Sequence, residues 1–234
     1  MLDPPVVMGF PVRTPGSGPE PVYPDRRKGR DNSSRTVVSE YEYSYDSAML
    51  VTLIAAARSS SFDDARFGDD RPLDAAGWAS VERAVPALAP LAAAELRYCS
   101  PTTGSRQTGD VLGLAPLAQP ALRDCDMGRW QGLTLGEATA REPAAVDFWL
   151  GDPRSAPHGG ETLIAFVGRV GGWLDTRPAG PHGRVVAVTE PSVIRAAMLY
   201  ALKAPPFAYW RTEVHPLSVV SLSGGGGRWN LRLG

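Results

Sequence analysis

LVTLIAAARSSS, Leu50 to Ser61, begins as a buried strand and ends in small and polar side chains. With Met49 it gives MLVTLIAAA, a run whose only polar residue is Thr52. Such a run is the pattern of a strand covered on both faces. A second, RVVAVT (Arg184 to Thr189), is mostly β-branched. In αβ proteins chemistry collects where a strand hands the chain to the following loop or helix. Ala55, Ala56 and Ala57 stand at that point, followed by Arg58 and Ser59, and the question is what three methyl groups do there.

Helical patterns separate the strands. From Asp74, a candidate N-cap, Trp78, Val81, Val85, Leu88 and Ala92 recur at spacings of three and four, with Pro86 and Pro90 set to kink or split the helix. ELRYCSP reads as a short strand ending at Pro101, and GSRQTGDVLG opens another helix. LRDCDMGRWQG, Leu122 to Gly132, is too mixed for a core element and reads as a structured loop. LTLGEATAREP and AAVDFWLG are short helices. Leu163, Phe166, Val167, Val170 and Leu174 form one helical face, and Pro191 suits the first position of the helix after RVVAVT. HPLSVVSLSGGGGRWNLRLG alternates on both sides of four glycines, as a terminal β-hairpin does. Strands alternating with helices predict an α/β fold, a three-layer α/β/α sandwich with a mostly parallel central sheet.

The chain has 234 residues. Seven prolines lie between Pro4 and Pro24, and DRRKGRDNSSR follows from Asp25. That composition buries too little apolar surface to offset chain ordering. We therefore expect residues 1–46 to be disordered or loosely docked, and residues 47–234 to form one domain. A net charge of -1 argues against a nucleic-acid-binding face, and no run of 18 apolar residues suggests a membrane span. Asp3 and the absence of an apolar leader disfavour a standard signal peptide, and the two cysteines, Cys99 and Cys125, form no disulfide framework. A cytoplasmic protein is the expectation. No residue spacing suggests a metal site, no motif suggests a cofactor, and a homodimer through a sheet edge is compatible with the pattern.

In order along the chain, these segments resemble the histidine phosphatase superfamily, the phosphoglycerate-mutase-like fold. The family's LVRHGET strand end corresponds to LIAAARS, followed by ARFGDDRPLDAAG. Its SPL-x-RA-x-QTA corresponds to SPTTGSRQTG from Ser100, and its L-x-E…G-x-WEG loop to LRDCDMGRWQG. GGET (Gly159 to Thr162) matches the GES helix start, and VTEPSVIR (Val188 to Arg195) matches VSHGGVIR. The resemblance implies a histidine that accepts a phosphoryl group, arginines and a second histidine that clamp its oxygens, and an acid that protonates the leaving group. Carried over residue by residue, Ala56 stands at the nucleophile, Ala55 at the adjacent arginine, Ala57 at the glycine, Gly104 at the second arginine and Glu190 at the second histidine. Asp124 matches the proton donor. The resemblance thus implies a scaffold kept better than its chemistry, a degenerate member lacking both catalytic histidines.

Two carboxylates at one pocket mouth can separate their pKa values and perform acid/base chemistry without a covalent intermediate. Asp124 and Glu190 are therefore the catalytic candidates, with Arg58, Ser59, Arg66, Arg123, His158 and Ser192 as ligand-binding candidates. The expected ligand is a small polar or carboxylated organic molecule. Three readings stay open at this point: acid/base turnover or binding of that molecule, an inert pseudoenzyme serving as an interaction or regulatory protein, and a weak phosphatase with a relocated nucleophile such as His158. The plainer alternative for the carboxylates is solvation or pairing with Arg58, Arg66, Arg106, Arg123 or Arg195.

Overall fold

The computed structural model describes residues 48–59, 65–177 and 183–233. The segment 1–46, its expected boundary with the domain, and His182 lie outside the described residues. The chain order is β1 (Met49–Ala55), α1 (Ala75–Leu88), β2 (Leu96–Cys99), α2 (Thr103–Val111), β3 (Leu117–Ala118), α3 (Leu135–Arg141), α4 (Pro143–Gly151), α5 (Leu163–Asp175), β4 (Arg184–Thr189), α6 (Pro191–Leu202), β5 (Val219–Gly225) and β6 (Arg228–Arg232). Short 3₁₀ turns occupy Ala89–Ala93, Pro120–Leu122, Gly128–Trp130 and Pro206–Arg211.

The six strands form one sheet in the order β3-β2-β4-β1-β5-β6. β3, β2, β4 and β1 run parallel, while β5 pairs antiparallel with β1 and with β6. Period-two alternation splits the central strands between two cores. Met49, Val51, Leu53, Ala55, Val185 and Ala187 pack with residues of α5 and α6. Ile54, Val186 and Val188 face the other side, against Val81 of α1 and the Leu112–Leu114 turn after α2. Burial on both faces is why β1 and β4 read as continuous apolar runs. The result is the three-layer α/β/α sandwich with a mostly parallel sheet.

The local signals act as their chemistry requires. Asp74 accepts the Gly77 N–H at 2.6 Å as the N-cap of α1. Pro86 stays within the last turn of α1, and the chain then tightens to 3₁₀ geometry around Pro90. Trp78, placed on the apolar face by spacing, is 37% exposed, so the buried stripe of α1 is narrower than the periodicity suggests. Gly226 and Gly227, both at positive φ, make the two-residue turn between β5 and β6. The segment read as too mixed for the core, Leu122–Gly132, buries Leu122 and Trp130 completely.

Candidate functional site

β1, β2 and β4 are parallel neighbours, so their C-terminal ends open on the same edge of the sheet. The Ala56 N–H donates to the Thr189 carbonyl at 2.8 Å, continuing the β1–β4 ladder past Ala55↔Thr189. Ala56 and Glu190 therefore begin their departure from the sheet side by side. The Ala57 N–H donates to Thr108 Oγ1 of α2 at 3.1 Å, and the Arg58 carbonyl accepts the Asp74 N–H at 3.3 Å. A Cβ on Gly77 would sit 2.0 Å from that carbonyl, so only glycine lets α1 approach the chain leaving β1 this closely.

A cavity of about 630 Å³ opens above these strand ends. Ala56, Ala57, Gly104, Asp124, Glu190 and Ser192 line it, together with Arg58, Ser59 and Arg66. Gly104 leaves ordinary van der Waals space where a side chain would begin, 3.6 Å from the Arg71 carbonyl.

Glu190 caps β4 and precedes Pro191, the first residue of α6. Its Oε1 accepts hydrogen bonds from Thr102 Oγ1 at 2.6 Å and Ser105 Oγ at 3.2 Å, both from the start of α2. Its Oε2 lies 3.2 Å from Thr189 Oγ1, which is also 3.0 Å from the Leu122 carbonyl. A carbonyl can only accept, and threonine has one hydroxyl proton. Thr189 Oγ1 is therefore placed to donate to the Leu122 carbonyl or to Glu190 Oε2. Burial, then the negative charge of Asp124, push the Glu190 carboxyl above its ordinary 4.5 despite the surrounding donors.

Asp124 Oδ1 accepts from Ser192 Oγ at 2.5 Å and from the Cys125 N–H at 2.7 Å. Its Oδ2 accepts no hydrogen bond among the described residues. Burial raises this carboxyl as well, and the Ser192 and Cys125 donors, followed by Arg195 and Arg169, offset only part of that rise. The loop bearing Asp124 is held by Arg169 of α5. Its guanidinium forms a two-pronged pair with Glu161 (2.9 and 2.7 Å) and donates to the carbonyls of Ala121, Arg123 and Asp124. The pair is well buried, so breaking it would leave a charge without water.

The cationic side chains are mostly engaged. Arg58 pairs with Asp74 at 3.1 Å, Arg66 with Glu137 at 3.0 Å and Arg71 with Asp69 at 2.7 Å. Ser59 donates to Asp69 at 3.3 Å. Arg195 is different: its buried Nε has no hydrogen-bond partner among the described residues, and its guanidinium lies 4.8 Å from the centre of the Tyr209 ring.

Two proposed ligand contacts stand elsewhere. Arg123 is exposed, and only its carbonyl enters the network around the cavity. His158 is 1% exposed and borders no cavity described here. Its Nδ1 accepts the Gly160 N–H at 3.1 Å, its ring lies 5.1 Å from that of Trp130 and 6.2 Å from that of Trp149, and its Nε2 is buried without a partner. Desolvation lowers its pKa below the ordinary 6.5, and its ring packs against the buried Trp130 and Trp149. The histidine that does line the cavity is His215, at the mouth beside Glu213. Sequence spacing also missed Thr102 and Ser105, and Arg195, expected only as a partner for the carboxylates, lines the cavity itself. Arg195 follows Ser192 by three on α6, and that i,i+3 relation to a pocket serine was the available signal.

A parallel-centred α/β sandwich with its cavity at the ends of β1, β2 and β4 defines the class. The chain belongs to the histidine phosphatase superfamily (branch 1), whose family model matches residues 63–233. A glucosyl-3-phosphoglycerate phosphatase of Mycolicibacterium vanbaalenii is 34% identical over 110 residues, 44% of this chain and 48% of that protein. The chain thus spans about half the length of the curated relatives it matches. Among solved structures, a mycobacterial glucosyl-3-phosphoglycerate phosphatase has a TM-score of 0.64 at 24% identity, covering 79% of this chain and 97% of the other. An alpha-ribazole phosphatase from Shigella flexneri has a TM-score of 0.65 at 18% identity, covering 79% and 95%. These structural likenesses establish the fold.

Proposed function

We propose that this protein uses the histidine-phosphatase scaffold without the phosphohistidine reaction, and that its cavity binds or transforms a small polar or carboxylated organic molecule. One observation carries the reading: Ala56 and Glu190, at the ends of neighbouring strands, line one cavity at the two positions where the resemblance implies imidazoles. A methyl group cannot accept a phosphoryl group. A carboxyl at Glu190 and a hydrogen at Gly104 also replace positive charge that would hold phosphoryl oxygens. Two carboxyls whose pKa values are both raised by burial suit proton transfer in an isomerisation, elimination, cyclisation or hydrolysis.

The test is direct. Incubation with p-nitrophenyl phosphate and a panel of phosphate monoesters is expected to give no turnover above a heat-denatured control. Mass spectrometry of the freshly purified protein should detect a copurified organic acid that Glu190→Gln weakens or releases. A second reading, a weak phosphatase with a relocated nucleophile, draws on His215 at the cavity mouth and on the names of the relatives. Monoester turnover that disappears in His215→Ala would establish it and end the first reading.

A further inference from the structure

Behind the shared wall of the main cavity lies a smaller chamber of about 160 Å³. Phe67, Met127, Trp149, Phe166, Tyr209 and Trp210 line most of it. These rings come from separate parts of the chain: the loop after β1, α4, α5 and the 3₁₀ turn Pro206–Arg211. They brace one another edge to face, with ring centres 4.8 Å apart for Trp149–Trp210, 4.9 Å for Tyr209–Trp210 and 5.8 Å for Phe67–Trp149. A chamber framed this way keeps its shape, and its faces and edges suit another aromatic ring. Its size fits as well, because an apolar cavity of about 150 Å³ engineered into another protein stays dry and binds benzene.

The four residues common to both chambers are Arg66, Asp124, Ser192 and Arg195. They mark the boundary where an apolar space meets a polar one. Arg66 is committed to Glu137 and Ser192 to Asp124. Arg195, resting on Tyr209 and with no hydrogen-bond partner at Nε among the described residues, supplies a cation at that boundary, and a guanidinium receives a planar carboxylate through two parallel hydrogen bonds.

We propose that the chamber is a subsite for a planar ring and that the ligand class is an aromatic carboxylic acid, with its ring among Trp149, Phe166 and Tyr209 and its carboxylate at Arg195. The inference rests on reading the main cavity as a small-molecule site and names what that molecule carries. It gives a ligand to a guanidinium that stands on an aromatic face at the boundary between the two chambers.

Three probes dissect it on the full-length chain by calorimetry: acetate for the carboxylate alone, toluene for the ring alone, and phenylacetate for both. Phenylacetate is expected to bind at least tenfold tighter than acetate. Saturating toluene should remove that advantage without weakening acetate. Leu163→Phe, which adds volume to the chamber wall, should also remove it, and Arg195→Met should weaken acetate and phenylacetate while sparing toluene. Equal affinities for acetate and phenylacetate, or phenylacetate binding indifferent to toluene, would overturn the proposal, and the toluene arm requires no variant to fold. Phosphate-ester turnover would defeat the proposed function yet leave toluene binding intact. A chamber blind to toluene would defeat this inference and leave the proton-transfer reading standing.

Discussion

Ser192 donates its hydroxyl proton to Asp124 Oδ1 across 2.5 Å, joining the first turn of α6 to the loop that follows β3. The bond lowers a carboxyl that burial raises. Removing the hydroxyl in Ser192→Ala should therefore move the Asp124 titration further upward and destabilise the fold by about 1 kcal/mol, the usual net value of one such bond. Carbon-detected NMR of the aspartate carboxyls reads the first effect and urea unfolding the second. An Asp124 titration unchanged by the substitution would show that Ser192 does not tune it.

Glu190 makes an opposite kind of prediction for stability. Its folded pKa is raised above the ordinary 4.5, so the folded state holds its proton more tightly than the unfolded chain. Stability from this group is fully present below 4.5 and is lost as pH rises through the folded value. Glu190→Gln keeps the acceptor for Thr102 and Ser105, and its amide nitrogen can donate to Thr189 Oγ1 while that hydroxyl donates to the Leu122 carbonyl. The variant should match the wild type near pH 4 and melt at a higher temperature at pH 8. Thermal scans across that range check it. An equal offset at every pH would mean that Glu190 does not gain a proton on folding.

His158 contributes in the other direction. Burial lowers its pKa below 6.5, so the unfolded chain binds a proton that the folded protein refuses. Stability should fall as pH drops below 6.5, and His158→Phe should remove that part of the slope. Phenylalanine also leaves no orphan like the buried Nε2, although the Gly160 N–H loses its acceptor. Denaturant midpoints of both proteins between pH 5 and pH 8 would reveal the difference, and parallel curves would reject the assignment.

How far the sequence discloses this molecule depends on the range of the signal. β1 and β4 are legible because burial on both faces leaves continuous apolar runs, and the β5–β6 turn is legible because two positive-φ positions call for glycine. The floor of the cavity is legible too, since Ala56, Glu190 and Asp124 each follow a recognisable local pattern and the sheet brings them to one edge. The aromatic chamber is legible only in part. Phe67 and Trp149 can be read from the sequence as an apolar wall for an organic ligand, but Phe166 and Tyr209 share no spacing with them, and each taken alone is a normal core residue. His158 misleads for the same reason: its loop points to the site, while Trp130 and Trp149, 28 and 9 residues away, decide its surroundings.

Asp175 offers the clearest test of what holds the antiparallel edge to the rest of the sandwich. Standing at the end of α5, it accepts from the Gly227 N–H and Trp229 Nε1, each at 2.8 Å, and from the Tyr200 hydroxyl. One carboxylate thus joins α5, α6 and the β5–β6 turn. Burial alone would raise its pKa, but the Trp229, Tyr200 and Gly227 donors outweigh that effect and lower it below the ordinary 3.8. Stability from this group is present above 3.8 and lost as pH falls through the lower folded value. Asp175→Ala leaves the indole and amide donors without their acceptor, at a cost on the order of 2–3 kcal/mol at neutral pH. The cost should shrink as pH falls through that lower value, where the wild-type carboxyl also takes up its proton. Hydrogen exchange at neutral pH should show the loss concentrated in β5 and β6, because Asp175 ties the hairpin turn to the domain beside the β1–β5 ladder and the packing of β6 on α6. Protection that falls equally throughout the sheet would mean that Asp175 supports the whole core rather than this edge.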